Sequence, residues 1–341
     1  AIDLKEDAGL LDPELASRTR YLEHDYIYRY AATGTYTDAW IHETAARARS
    51  AAGDPVSRAE RERVWDVVSR SEDDAAVRER GFLESLGLVR LLRTAQIEHI
   101  HCDFAEENVK LAYMIHRVTG VPFTFKMRAY DIFAEPAPEL RTWALAAKRV
   151  VTISRYNQDY LVQDLGLSRD AISVIYDGVE VNEIPPARAY THRPFKIVSA
   201  SRLVEKKGYP YLLAACRRLQ DRGVDFTCEI YGDGPVRDAL ERQVEALGLG
   251  GRVRLAGSRP HPEILAALET ASVFVLPCIQ ARNGDRDGTP NVLMEAMAKQ
   301  VPVVSTRISG VPEVVDEGRD GLLVEPEDAE GLADAIAKIY G

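Results

Sequence analysis

The chain predicts an α/β fold of two doubly wound parallel-sheet domains, and three observations carry that prediction. Short apolar runs alternate with helix-period segments along most of the sequence. A length of 341 residues favours two hydrophobic cores over one. A break rich in proline, Pro185 to Pro194 (PPARAYTHRP), has no apolar period and reads as an interdomain linker. In the first half, strands are expected at Ile97–His101, Pro122–Lys126, Val150–Ser154 and Ile172–Tyr176, with helices between them. In the second half, strands are expected at Phe195–Ala200, Phe226–Tyr231, Arg252–Leu255, Ser272–Leu276, Val301–Ser305 and Gly321–Val324. Helical periods fill the gaps at Gly208–Arg222, Val236–Leu247, Pro262–Glu269 and Asn291–Lys299. The expected domains are residues 1–184 and 195–341, joined by 185–194.

Composition narrows the function classes. Hydrophobic residues make up 46% of the chain, enough for sizeable cores, and charged residues 28%, which suits a solvated surface. The net charge of −10 speaks against a general nucleic-acid binder while leaving room for a local basic pocket. Four cysteines (Cys102, Cys216, Cys228 and Cys278) show neither paired metal spacing nor a disulfide framework. Cys228 and Cys278 lie in apolar runs and read as small buried hydrophobes. The simplest compartment is the cytoplasm. No apolar run approaches the roughly 18 residues of a spanning helix, so neither a membrane span nor a signal peptide is expected.

The most telling stretch is Asp285 to Thr306, DRDGTPNVLMEAMAKQVPVVST. It opens with a turn (Asp287, Gly288, Thr289, Pro290), continues as an apolar-periodic helix and ends in a buried strand. A loop feeding a helix N-terminus presents backbone N–H groups suited to an anionic ligand. Asp287 on the loop and Glu295 on the helix would repel a phosphate, so sugar hydroxyls are their natural partners. The plain alternative is an ordinary amphipathic helix packed on a strand.

This stretch closely resembles the signature of retaining glycosyltransferases of family 4. The family pattern has Glu where Asp287 and Glu295 stand, then Ala-Met-Ala (Ala296-Met297-Ala298 here) and a Pro-Val-Val strand (Pro302-Val303-Val304). Asp287 is therefore a conservative departure. Gly284-Asp285-Arg286 before it, with Gly288-Thr289-Pro290-Asn291 after it, looks most like the colanic-acid and exopolysaccharide branch. The resemblance is strong from about Phe195 onward, moderate from Ile97 to Tyr176 and weak before that. It implies a GT-B fold, in which two Rossmann-like domains face a cleft. Family members open with an apolar strand and a glycine-rich turn and finish with a longer helix. Residues before Ala1 and beyond Gly341 are expected on that ground.

Three further segments bear on the same chemistry. In Ser201-Arg202-Leu203-Val204-Glu205-Lys206-Lys207-Gly208, a strand ends and a helix begins. Arg202 and Lys207 can reach a diphosphate beyond the sheet's carboxyl edge, and the resemblance gives both that role, with Lys206 the lesser partner. As surface charges they would oppose the helix dipole, a conflict an anion relieves. The turn Tyr231-Gly232-Asp233-Gly234-Pro235 lacks the third glycine and downstream acid of a dinucleotide fingerprint. For Gly232 and Gly234, ligand contact and a scaffold role stand level. The resemblance puts the nucleobase near Gly257-Ser258-Arg259, which makes Arg259 a candidate base contact.

In the first half, the family usually has His where Arg128 stands, and that His contacts the donor sugar. An arginine cannot act as a base near neutral pH, but it can hold an acidic sugar or a phosphate. Altered donor choice, a replaced catalytic contact and lost activity all stay open, beside a structural salt bridge from Arg128 to Asp131. His99 and His101 alternate on a strand and read as core or cleft-wall residues without further metal ligands. His116, His192 and His261 carry no chemistry in this reading. Tyr21, Tyr26, Tyr28, Tyr30 and Tyr36 read as core packing, with a border to an acceptor sugar or a membrane surface as the alternative.

The expected activity is transfer of a sugar, with retention, from a UDP- or GDP-sugar to a glycan or lipid-linked acceptor in polysaccharide biosynthesis. Arg202, Lys207, Asp287 and Arg128 are the expected catalytic residues. Glu295, Gly288, Thr289, Pro290, Asn291, Val292, Gly232, Gly234 and Arg259 are expected to bind the donor. No resident cofactor, metal or nucleic-acid partner is expected. A lipid-linked acceptor would place the protein peripherally at the inner face of the membrane. Two rival readings are a GT-B sugar-nucleotide epimerase and a non-catalytic sugar-nucleotide-binding homologue.

Overall fold

The computed structural model describes residues 58–69, 78, 82, 85, 86, 89, 97–134, 136–184 and 195–341. The linker 185–194, with His192, and the early tyrosines lie outside them. The chain forms two compact units, 1–98 with 111–121, and 99–110 with 122–341. In the first unit, helix α1 (Arg58–Val68) brings Val64 into a buried cluster with Phe82, Leu86, Val89, Met114 and Val118. Met114 and Val118 come from helix α2 (Glu107–Thr119). Trp65 meets the Phe82 ring edge-on at 5.5 Å.

The second unit holds two parallel sheets. The first runs in chain order through β1 (Ile100–Asp103), β2 (Phe123–Met127), β3 (Arg149–Thr152) and β4 (Ile172–Val174). Helices α3 (Tyr130–Phe133), α4 (Leu140–Ala146) and α5 (Arg155–Leu165) connect these strands. Helix α5 starts where the Ser154 hydroxyl accepts the Asn157 N–H, and it stops at Gly166 in the left-handed region. Strand β2 buries Phe123, Phe125 and Met127 on one face, the two-residue period of a strand.

The second sheet contains β5 (Phe195–Ala200), β6 (Phe226–Tyr231), β7 (Val253–Gly257), β8 (Val273–Leu276), β9 (Val303–Thr306) and β10 (Gly321–Val324). Its spatial order is β10-β9-β8-β5-β6-β7. Helices α6 (Tyr209–Asp221), α7 (Arg237–Ala246), α8 (His261–Leu268), α9 (Asn291–Ala298), α10 (Val311–Val314) and α11 (Ala329–Tyr340) complete it. The inner strands β8 and β9 are buried at every position, as a parallel sheet covered on both faces requires, whereas the edge strand β10 alternates. Helix α11 closes the core, its Tyr340 ring meeting Phe195 edge-on at 5.1 Å. Each expected strand is present, with bounds moved by up to three residues. The short helices α3 and α10 and the 3-10 turn Glu205–Lys207 were not expected. Three or four residues are too few to show a helical period.

Candidate active site

Strands β5 and β8 lie side by side, yet the chain leaves them in opposite directions, toward β6 and toward β9. The loops that follow them diverge, and a crevice opens at the carboxyl end of the sheet. Gly208 ends the first loop with φ 65°, and a Cβ there would stand 1.8 Å from the Pro277 carbonyl oxygen of the second loop. Only glycine allows that approach. The Ile279 N–H donates to the Lys206 carbonyl at 2.8 Å, so the loops are also tied by backbone. A Cβ on Gly232 would stand 1.8 Å from the Ser201 carbonyl oxygen, and one on Gly234 2.4 Å from that of Leu203. Close packing of one loop on another accounts for both glycines.

A buried charge cluster fills the floor of the crevice. Lys207 Nζ lies 2.8 Å from Asp287 Oδ2, and the Cys278 thiol donates to the same oxygen at 3.2 Å. Lys206 Nζ stands 3.0 Å from Asp285 Oδ1 and 3.8 Å from Asp287 Oδ1. Burial would push the Asp287 carboxyl up, but Lys207 and Lys206 outweigh it and hold the group below its ordinary value. Burial likewise works against charge on Lys207, and Asp287 overcomes it, raising the ammonium's pKa. Asp287 thus addresses lysines in this state, not hydroxyls, and Lys206 is built into the cluster as firmly as Lys207. The adjacent lysines were a visible signal; the nearness of Cys278 and Asp285 was not.

Helix α9 begins after Pro290 with no capping side chain. Thr289 is buried, and its hydroxyl has no hydrogen-bond partner. Gly288 and Pro290 are buried beside it, Val292 is half-buried and Asn291 is exposed. One turn into the helix, Glu295 Oε1 lies 3.2 Å from His261 Nε2 at the start of α8, a residue the sequence reading had passed over. Arg202 is exposed and pairs with no carboxylate among the described residues. Arg259 is also exposed, with Glu263 4.0 Å away.

At the carboxyl edge of the first sheet, Arg128 follows β2. Its guanidinium pairs with Asp103 Oδ2 at 3.2 Å and Asp177 Oδ2 at 3.6 Å, and it lies 4.9 Å over the ring of Phe104. Phe104, a residue 40% exposed, holds φ 67°, an uncommon backbone state for a bulky residue. The expected salt bridge from Arg128 to Asp131 does not form. The Asp131 carboxylate is buried and accepts the backbone N–H groups of Arg128 and Ala105, each at 3.0 Å. Short reach makes it a clasp for two loops. His99 and His101 both bond the Thr124 hydroxyl, at 3.0 Å and 2.8 Å, which fits wall residues.

Three ties bring the two sheet edges together. A Cβ on Gly288 would stand 2.7 Å from Ile153 Cδ1 and 3.7 Å from the Arg128 carbonyl oxygen, so those loops face each other. Arg286 donates to the Tyr156 hydroxyl at 2.7 Å and stacks 4.3 Å over Phe133. Glu313 accepts the N–H groups of Arg155 and Tyr156 and the Tyr176 hydroxyl, each at 2.8 Å. Arg286 was read from sequence only as part of a motif, and Glu313 not at all, because their partners come from the other sheet.

Two parallel sheets with facing carboxyl edges, one carrying a cationic crevice at its switch point, are the architecture of a GT-B glycosyltransferase. The family model described as "Glycosyl transferases group 1" matches residues 194–341, and that described as "Glycosyltransferase Family 4" matches residues 42–183. Each half of the chain thus carries a glycosyltransferase domain. It is 40% identical over 177 residues to the colanic acid biosynthesis glycosyltransferase WcaL of Escherichia coli (strain K12), across 52% of this chain and 44% of that protein. It is 36% identical over 191 residues to the amylovoran biosynthesis glycosyltransferase AmsK of Erwinia amylovora, across 56% and 47%. The chain spans about half the length of the curated relatives it matches. Among solved structures, Anabaena Alr3699/HepE in complex with UDP superposes with a TM-score of 0.62 at 20% identity, covering 74% of this chain and 71% of that one. At that identity the likeness speaks to the fold. Among the described residues, no helix is long and apolar enough to cross a membrane.

Proposed function

We propose that this protein is a retaining glycosyltransferase that moves a sugar from a UDP- or GDP-sugar to a glycan or lipid-linked acceptor in exopolysaccharide assembly. The observation that carries this reading is the β5/β8 crevice, where Lys207, Arg202 (unpaired among the described residues) and the uncapped start of α9 come from loops around one opening. Lys207 and Arg202 meet the charge that develops on the departing diphosphate. The first N–H groups of α9 and the buried Thr289 hydroxyl add donors, on a turn shaped by Gly288, Pro290, Asn291 and Val292. Asp287 accepts from hydroxyls of the donor sugar, while Glu295, set beside His261, takes the ribose hydroxyls.

The acceptor hydroxyl attacks the anomeric carbon on the face from which the diphosphate departs. As the new C–O bond forms, the old one breaks, and the leaving phosphate oxygen takes the acceptor's proton. No protein nucleophile is needed. Arg128, already paired with Asp103 and Asp177, contacts sugar without moving protons. Side chains and a helix start answer the charge, so the reaction runs without a metal or a resident cofactor. The work is placed in the cytoplasm, at the membrane's inner face where the acceptor is lipid-linked. The names of the two relatives support exopolysaccharide assembly, and the UDP in the HepE structure supports a nucleotide-sugar donor.

The test is transfer from UDP- and GDP-hexoses, with the product anomer read by NMR; an inverted product would overturn retention. Arg202→Ala and Lys207→Ala should each lower kcat by about one to three powers of ten, and near-normal rates would remove them from the site. A chelator should leave the rate unchanged. An epimerised sugar from donor alone would favour the epimerase reading instead.

A further inference from the structure

Lys206 is a buried cation that the reaction scheme leaves without a task. Its side chain is 8% exposed, and its ammonium sits between Asp285 and Asp287. Its backbone is fixed by the Ile279 N–H, so it cannot drift from the second loop. Asp287 is consequently held by two ammonium groups from consecutive residues, one at each carboxylate oxygen. While the Lys207–Asp287 pair is closed, the Lys207 charge is already answered. A diphosphate must draw that ammonium away, and a buried carboxylate that loses its counter-ion tends to take up a proton. A protonated Asp287 could no longer act purely as an acceptor toward sugar hydroxyls.

We infer that Lys206 is a positioning residue that keeps Asp287 ionised while Lys207 passes to the diphosphate, so that donor binding is an exchange of ion-pair partners at Asp287. This rests on the reading of Lys207 as the diphosphate ligand. The other groups facing the pair are Asp285, Cys278 and Tyr209. Burial holds the Cys278 thiol well above its ordinary range and the Tyr209 hydroxyl at about 12, so neither titrates near neutrality.

The experiment titrates UDP and GDP into the full chain by calorimetry, from about pH 5 to about pH 8, in two buffers of different ionisation enthalpy. In Lys206→Met, affinity should fall about tenfold or more below wild type at the upper pH, one pKa unit being a factor of ten. The gap should narrow on acidification, with close to one extra proton taken up per nucleotide bound. Lys206→Arg should follow wild type. Adding Asp285→Asn to Lys206→Met should leave the extra proton in place, which assigns it to Asp287 and not to Asp285. If Lys206→Met does not fold, Lys206→Gln gives the same comparison. Parallel profiles with no extra proton would overturn the exchange and leave the donor reading standing. Failure of wild type to bind either nucleotide would overturn both.

Discussion

Asp287 is a loop carboxylate held out of solvent, and it stays charged only because two lysines and a thiol surround it. That arrangement sets a pH dependence. With its pKa drawn below the ordinary value, Asp287 contributes stability that is complete above the unfolded value of about 3.9 and is lost as pH falls through the folded one. Asp287→Asn should therefore be less stable than wild type at about pH 7, with the gap closing toward about pH 3. Urea titrations across that range check this, and a gap independent of pH would assign the cluster's stability to hydrogen bonding. The spacings of Asp287 to Glu295 and of Arg202 to Lys207 were legible because both are local to one loop and the element it feeds. The partners of Arg128 were not. Asp103 lies 25 positions away, whereas the nearby Asp131 invited a pairing that its turn toward two backbone N–H groups rules out.

Among the elements, β8 and β9 were readable because strands covered on both faces become continuous apolar runs. The turn Glu205–Lys207 and helix α10 were not, although both carry residues of consequence. Helix α10 presents Glu313 to the N-terminus of α5, where its carboxylate meets two N–H groups that lack intrahelical partners. Negative charge there also answers the helix dipole. Glu313→Gln should keep much of the geometry and cost about 0.5–1 kcal/mol, whereas Glu313→Ala should cost about 1–2 kcal/mol. Thermal unfolding of the two variants distinguishes them; a Glu313→Gln variant as stable as wild type would mean that the charge contributes nothing.

For the molecule as a whole, alternating strand and helix announced two parallel sheets, and the doubly wound pattern put the crevice where strand order reverses. The meeting of the two edges was hidden, since it depends on side chains far apart in sequence. Arg286 reaches Tyr156 across 130 positions. Arg286→Ala should remove that tie, raise the radius of gyration of the free protein in X-ray scattering and weaken UDP binding. Unchanged scattering would show that Glu313 suffices.

The Gly310 N–H donates to the Gly288 carbonyl at 3.1 Å, and Glu313 follows three residues later. The turn around Gly288 and the carboxylate that grips α5 are therefore joined by one backbone hydrogen bond and three residues of chain. Glu313 is then a fulcrum and Gly288 the loaded end of a short lever: a displacement of that turn arrives at α5 as torque on two hydrogen bonds.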